Sequence, residues 1–185
     1  MGKPFLVFED IDAVSRHELF RLLGTRWEAT RFAWLSPVFW CALGLAVSLL
    51  VKPPAPVAQR VVSGIGYGLM LMAANALHSI GHIVAGRFVG EPMAVNLLTA
   101  TRDVSVYARK GSDAPRRRRI QRSLGGPLAN LAVGALALAV GSTSGTGWLR
   151  MFGLFNLLIG IWTLLPIPTL DGAVIWGSLR KRSRP

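Results

Sequence analysis

Long apolar segments almost free of formal charge dominate the chain, and four of them are long enough to cross a membrane as helices. They cover residues 32–51, 61–86, 123–142 and 148–170. Each contains at least 20 residues, the length that spans the hydrocarbon core of a bilayer. Residues 141–147, rich in Gly, Ser and Thr, predict a tight turn between the last two segments. The pattern predicts an all-α membrane protein with four transmembrane helices in one bundle.

The polar segment before the first apolar segment predicts one more helix. Ser15 and Glu18 have the spacing of a capping box, and the apolar side chains that follow them end at Gly24. We interpret this stretch as a short amphipathic helix at the membrane interface. The chain then divides into three parts: a cytoplasmic N-terminal segment, residues 1–31; a membrane domain, residues 32–179; and a basic cytoplasmic tail, residues 180–185.

The loop between the second and third apolar segments, residues 87–122, is long for a compact protein, and such loops either carry function or lack order. Residues 94–99 and 104–107 are rich in β-forming side chains, and a turn at residues 100–103 can join them. A β-hairpin and an irregular loop explain this pattern equally well. We take a short cytoplasmic β-hairpin as the prediction.

Composition and charge agree with a membrane location. The chain is 51% hydrophobic with a mean hydropathy of +0.43, yet its formal net charge is +12. Of its 21 Lys and Arg residues, five precede residue 32, nine lie in residues 87–122 and four follow residue 179. The positive-inside rule then places both termini and the long loop in the cytoplasm, and we expect the cell membrane. This topology and anionic lipids explain the arginine run at residues 116–119, so we expect no nucleic-acid partner.

Two histidines, His78 and His82, stand four residues apart in the second apolar segment. This spacing places both imidazoles on one face of a helix, near enough to bind one metal ion. Hydrogen-bonded histidines in a protein core often have the same spacing, so the pair alone does not decide between the two interpretations. Ionisable side chains at membrane depth are costly and are commonly functional, which favours the metal site.

A third candidate ligand, Asp171, reaches the same depth from the last apolar segment. Pro166 and Pro168 cannot continue a regular helix, so we expect the chain to be unwound just before the aspartate. Two imidazoles and one carboxylate form a three-ligand zinc set. The open fourth position of such a set is typical of a catalytic rather than a structural site.

Three motifs, in the same order along the chain, resemble those of the site-2 protease family of intramembrane zinc metalloproteases. Residues 78–82 (HSIGH) match the family's HExxH, residues 126–130 (GPLAN) its GPxxN, and residues 165–172 (LPIPTLDG) its PxPxLDG. The resemblance extends over residues 69–177. It implies an integral membrane protein that hydrolyses peptide bonds of single-span membrane proteins with zinc as its cofactor.

The resemblance implies three zinc ligands: His78, His82 and Asp171. Four further residues are expected beside the site: Asn75, Pro127, Asn130 and Gly172. Of these, Asn130 is expected to donate a hydrogen bond to substrate or bound water, and Asn75 is chosen only by its spacing, one turn before the first histidine. The family's hairpin is expected to hold substrate as an added strand, a part that residues 94–108 take here.

The chain departs from the family at Ser79, which stands where HExxH has its glutamate. In those enzymes the glutamate takes a proton from water and passes it to the leaving amine, which a serine hydroxyl cannot do. Loss of a general base typically slows a reaction by about 10²- to 10⁴-fold. Glu91 and Asp103 are near in sequence, but nothing in the sequence fixes either carboxylate beside the metal.

The leading prediction is a membrane-embedded zinc-binding protein with the site-2 protease fold, in which hydrolysis is lost or weak and a binding or regulatory role is kept. Its expected partners are membrane lipids and a single-span membrane protein, and the sequence predicts no oligomeric state. Two alternatives stay open. One is an active metalloprotease that uses another base; the other is a non-enzymatic four-helix scaffold or transporter whose histidines bind no metal.

Overall fold

The computed structural model describes residues 14–51, 54–107 and 114–180. These residues form four strands and five helices, which follow one another in this order: β1 Arg16–Leu22, β2 Thr25–Thr30, α1 Leu35–Val51, α2 Val57–Phe88, β3 Met93–Leu98, β4 Asp103–Tyr107, α3 Arg116–Thr143, α4 Gly147–Thr163 and α5 Asp171–Arg180. The predicted all-α bundle with one hairpin is therefore correct in its helical character. It is incomplete in its strands, because the N-terminal segment adds two.

The strands form one four-stranded mixed sheet in the order β1-β2-β3-β4. β3 and β4 pair antiparallel, with Asn96 opposite Ser105, so the predicted hairpin is confirmed. β2 pairs with β3 in parallel, with Arg26 opposite Val95. This pairing joins the N-terminal segment to the loop that follows α2. β4 lies at an edge of the sheet.

The prediction of a helix beginning at Ser15 is wrong, because β1 and β2 form an antiparallel hairpin there. Its tight turn has positive φ at both central residues, 48° at Leu23 and 71° at Gly24, as a type I′ turn requires. Trp27 of β2 is buried in one cluster with Ile83 of α2. A strand that buries an aromatic side chain against α2 is favoured here over a short interfacial helix that relies on a capping box.

Glycines allow the helices around α2 to approach closely. A Cβ added at Gly44 of α1 would meet the backbone of Gly68 of α2, and one added at Gly81 of α2 would meet the backbone of Gly125 of α3. Small residues at helix contacts are typical of membrane bundles. α2 is therefore packed between α1 and α3, and its histidine-bearing turns lie against the first half of α3.

Two helices of the described residues, α2 and α3, are long and apolar enough to cross a membrane. α1 and α4 have 17 residues each; such helices measure about 25 Å, less than the roughly 30 Å of a bilayer core. The prediction of four spans is therefore corrected to two. The chain makes a turn before Leu35, and α4 ends at Thr163, ahead of Pro166, so each of these apolar segments forms a shorter helix than predicted.

Several predicted segments lie partly outside the described residues; the predicted substrate strand, residues 94–108, is described up to residue 107. The segment 1–31 is described only from residue 14, and the basic tail, residues 180–185, only at Arg180. The chain is unwound between Thr163 and Asp171, as the prolines predict, and Asp171 is the first residue of α5.

Candidate metal centre

Three side chains from two parts of the chain meet beside α2. The rings of His78 and His82 lie on consecutive turns with their centroids 4.6 Å apart, and their Nε2 atoms are 3.0 Å apart. Asp171 Oδ2 lies 3.0 Å from Nε2 of His78 and 3.2 Å from Nε2 of His82. One ligand atom of each residue lies within 4.8 Å of the other two. The structure thus brings together all three predicted ligands.

The hydrogen bonds of the two rings determine where their protons lie. Nδ1 of His82 is 2.8 Å from the backbone carbonyl oxygen of Arg122, which can only accept, so Nδ1 of this ring carries a proton. Nδ1 of His78 is 2.8 Å from Asn130 Oδ1, which also accepts. In the neutral form of each ring, Nε2 therefore presents a lone pair toward the other two ligand atoms.

This donor set fits a metal ion. Two nitrogen lone pairs and a carboxylate oxygen at 3.0–3.2 Å repel one another unless a positive charge lies between them. Gly126 of α3 adds the space, because a Cβ at this position would lie 2.5 Å from Nε2 of both histidines. Nitrogen from His and oxygen from Asp are ordinary zinc ligands. His78, His82 and Asp171 are thus the residues that could hold the metal.

The segment between α4 and α5 presents Asp171 to the histidines. Thr169 in this segment has a φ of 76°, a backbone conformation that a β-branched residue rarely adopts. Arg102, in the turn between β3 and β4, donates hydrogen bonds to Thr169 Oγ1 at 3.0 Å and to its carbonyl oxygen at 3.4 Å. Gly172 follows directly, and a Cβ there would collide with the carbonyl of Leu164. The hairpin turn and the glycine thus fix the position of the aspartate.

A cavity of about 1490 Å³ opens beside these ligands. All five residues of β4 line it, together with both histidines, Asp171 and parts of α3, α4 and α5. Within the described part of the chain, β4 pairs only with β3, so it is an edge strand. An edge strand beside a metal centre can accept an extended peptide as a further strand.

The comparisons with known proteins rest on three-dimensional structure. No family model and no curated protein sequence matches the chain. The chain is similar to the site-2 protease from Methanocaldococcus jannaschii, with a TM-score of 0.63 and 19% identity over 91% of this chain and 73% of that one. It has the site-2 protease fold. The fold implied by the three sequence motifs is therefore confirmed.

Within this site-2 protease fold, Asn130 lies at the site but supports a histidine. Its Nδ2 donates to the carbonyl of Ala74 at 2.9 Å and to Asn156 Oδ1 at 2.8 Å, so both amide hydrogens have protein acceptors. Its Oδ1 accepts from His78. In this structure the Asn130 amide therefore orients His78, and the role as a donor to substrate or water stays a prediction. Pro127, the next predicted residue, is fully buried inside α3.

Ser79, at the position of the glutamate in site-2 proteases, contacts a carboxylate from the hairpin. Its Oγ donates to Asp103 Oδ2 at 3.0 Å, and Asn96 Nδ2 donates to the same oxygen at 3.2 Å. Asn75 also donates a hydrogen bond to this carboxyl. Burial raises the pKa of the Asp103 carboxyl above its ordinary value, although the hydrogen bonds that it accepts oppose that rise.

Sequence reasoning could not place three of the supporting residues, for different reasons. Asp103 and Arg102 reach the site through the register of the hairpin, which the alternation of side chains does not fix in three dimensions. Asn156 was recognisable as an amide at membrane depth, but not as the acceptor that orients Asn130. The other carboxylate considered, Glu91, lies 3.6 Å from Arg118 and outside the cavity lining.

Proposed function

We propose that the chain is a zinc-binding integral membrane protein of the site-2 protease type, which holds an extended segment of a single-span membrane protein beside its metal centre. One observation carries the proposal: two Nε2 lone pairs and a carboxylate oxygen converge, while each Nδ1 proton is already donated elsewhere. Zinc bound there would polarise a peptide carbonyl and make water more acidic. A non-enzymatic scaffold or transporter gives no reason for this convergence.

The surfaces of the helices support a location in the bilayer. Leu50 of α1 and Leu136 of α3 are 81% and 65% exposed, and other large apolar side chains on the helices are exposed as well. Exposed apolar surface of this extent is costly in water and ordinary in lipid. The distribution of Lys and Arg supports cytoplasmic termini, lipid headgroups as partners, and the cell membrane as the location.

The edge strand β4 supports a peptide as the ligand. A transmembrane helix satisfies its own backbone hydrogen bonds, so an unwound segment needs new partners before its peptide bonds are accessible. The unpaired edge of β4 supplies such partners along the cavity. A single-span segment bound there lies next to the two histidines and Asp171.

The residues around the site hold the three proposed ligands in position. Asn130 and the carbonyl of Arg122 hold the imidazoles, and the segment before α5 holds the carboxylate. Ser79 is not a base, so these residues alone bind a peptide and hydrolyse it weakly or not at all. A second function, peptide hydrolysis with another base, is favoured by the hydrogen bond between Ser79 and Asp103.

The test measures zinc in protein purified in detergent and extensively loaded with the metal. We expect about one zinc per chain, since three ligands and one open position form a single site. His82→Ala and Asp171→Ala are expected to lose the metal, because two ligands bind zinc far more weakly than three. His17→Ala is the matched control: this third histidine is exposed on β1, and its removal is expected to leave the zinc content unchanged. Absence of zinc from the native chain would refute the proposal.

A further inference from the structure

The position of the missing glutamate is linked to a carboxylate that the sequence places 24 residues away. We propose that Asp103 is the catalytic base of a peptide hydrolase in this chain, and that Ser79 positions it. This inference rests on the function proposed above, since a base is useful only beside a metal centre that holds a peptide. It adds peptide hydrolysis to the peptide binding proposed above.

Ser79 and Asp103 together resemble one glutamate side chain. Ser79 Oγ stands where a glutamate at this position would have its Cγ, and the carboxylate of that glutamate would follow Cγ. The hydrogen bond of 3.0 Å from Ser79 Oγ to Asp103 Oδ2 adds the missing length. A carboxylate oxygen therefore lies one hydrogen bond away from the side chain of residue 79, where a glutamate would supply its own.

Three donors hold the Asp103 carboxylate in place. Ser79 and Asn75 approach it from α2, and Asn96 approaches it from the neighbouring strand β3, where it is fully buried. A catalytic base needs this kind of support, because a loosely held carboxylate loses the benefit of proximity. Ser79 is thus a positioning residue, whose hydroxyl holds the carboxylate beside the turn of α2 that bears His78.

The composition of the cavity leaves no other candidate among the described residues. The acidic side chains that line it are Asp103 and Asp171. Asp171 Oδ2 faces both histidines as a ligand, so it is committed to the metal. Glu91 lies beside Arg118 and does not line the cavity. Asp103 is therefore the carboxylate of the cavity that is left to act as a base.

The proposed reaction is hydrolysis and needs no reactant besides water. The Asp103 carboxylate takes a proton from a water molecule while the water oxygen forms a bond to the peptide carbonyl carbon. The carbon–nitrogen bond then breaks, and the proton passes from Asp103 to the leaving nitrogen. The products are a carboxylic acid and an amine, and the aspartate is again ionised.

The first measurement is cleavage of a panel of single-span peptides in proteoliposomes. Asp103→Asn is expected to lower kcat about 100-fold or more, as the loss of a general base does, with zinc content and thermal unfolding unchanged. Glu91→Gln, which removes a buried carboxylate that does not line the cavity, is the control and is expected to cleave at the native rate. Ser79→Ala is expected to lower kcat about tenfold, the cost of one charge-assisted hydrogen bond, with KM unchanged.

One further variant, a double substitution, separates a base from a structural role. Ser79→Glu combined with Asp103→Asn returns a carboxylate to residue 79 and is expected to restore cleavage that the single Asp103→Asn variant lacks. If Asp103→Asn alone proves unstable, the double variant and Ser79→Ala still test the proposal. Restored folding without restored cleavage in the double variant would count against a base at this position.

A peptide hydroxamate provides a readout that does not depend on turnover. Its acidic hydroxyl proton needs an acceptor beside the metal, so Asp103→Asn is expected to weaken its binding about tenfold or more. The same peptide ending in an amide lacks that proton and is expected to bind both proteins equally. Equal hydroxamate binding by native and Asp103→Asn protein would contradict the proposal.

The outcomes distinguish this inference from the function on which it rests. Native protein that binds zinc and peptide but cleaves no member of the panel overturns Asp103 as a base and leaves the binding function standing. Cleavage that Asp103→Asn does not impair overturns it as well. A chain that binds no zinc refutes the proposed function itself, together with the base.

Discussion

At the scale of single residues, the two imidazoles are held by acceptors of different kinds. A side-chain oxygen, Oδ1 of Asn130, holds His78, whereas the backbone carbonyl of Arg122 holds His82. Partners of this kind orient a metal ligand and fix its proton. A substitution can remove the first acceptor but not the second, so the orientation of His82 depends on the position of α3 as a whole.

Gly126 provides a direct test of the space between the ligands. Gly126→Ala would place a methyl group 2.5 Å from Nε2 of both histidines, closer than nonbonded atoms approach, and is expected to abolish zinc binding. The measurement is zinc content after purification, together with thermal unfolding. Gly147→Ala is the control, because nothing lies within 4 Å of its added Cβ. Full zinc content in the Gly126→Ala protein would show that the metal does not lie between the two Nε2 atoms.

The ligands could be predicted from the sequence, and the residues that support them could not. His78, His82 and Asp171 follow from local rules: a helical spacing and a proline-broken segment. Asp103 comes from a strand whose register depends on the whole sheet, and its link to Ser79 appears only when β4 lies beside α2. Pairings across the fold leave no periodic signal in the sequence.

At the scale of elements, the hairpin turn and the segment before α5 are joined by Arg102. Arg102→Ala is expected to weaken zinc binding about threefold to tenfold, since it removes charge-assisted hydrogen bonds that hold Thr169 at a φ of 76°. Adding Thr169→Gly is expected to recover the affinity, because glycine adopts positive φ without steric cost. Competition with a calibrated zinc chelator measures both. Unchanged affinity in Arg102→Ala would show that this segment keeps its conformation unaided.

The elements themselves were predictable to different degrees. The hairpin of β3 and β4 can be predicted from the sequence, because side chains alternate along β4 and a turn separates the two strands. The capping-box spacing predicts a helix where β1 and β2 lie, because it is a local signal and contains no information on the partner strand β3. β2 is stabilised by pairing with a strand about 70 residues later, which local propensity does not contain.

At the scale of the whole molecule, both described ends of the chain lie at the sheet end of the helices. β2, before α1, pairs with β3, after α2. At the other end of the chain, Arg116 at the start of α3 donates to the carbonyl of Leu179 in α5. α1 and α4, although each is shorter than a bilayer core, therefore return the chain to the end of α2 that precedes the basic loop. We propose on this ground that both termini face the cytoplasm.

Fusions of alkaline phosphatase, which is active only outside the cytoplasm, measure this topology. A fusion after Pro185 is expected to be inactive, and one after Ala55, between α1 and α2, is expected to be active. The opposite pair of results would invert the orientation of the protein and place the metal centre in the outer half of the membrane.

The contact between α2 and α3 has a consequence for how the protein tolerates mutation. Gly81 and Gly125 meet through backbone atoms, and a Cβ at Gly81 would lie 2.7 Å from the Cβ of Ala129. No flexible side chain is present to absorb a displacement, so any larger residue pushes one rigid helix away from the other. His82 stands directly after Gly81, and Gly126 directly after Gly125. Substitution of either glycine by a larger residue is therefore expected to abolish metal binding as completely as the loss of a ligand, although neither glycine carries a functional group.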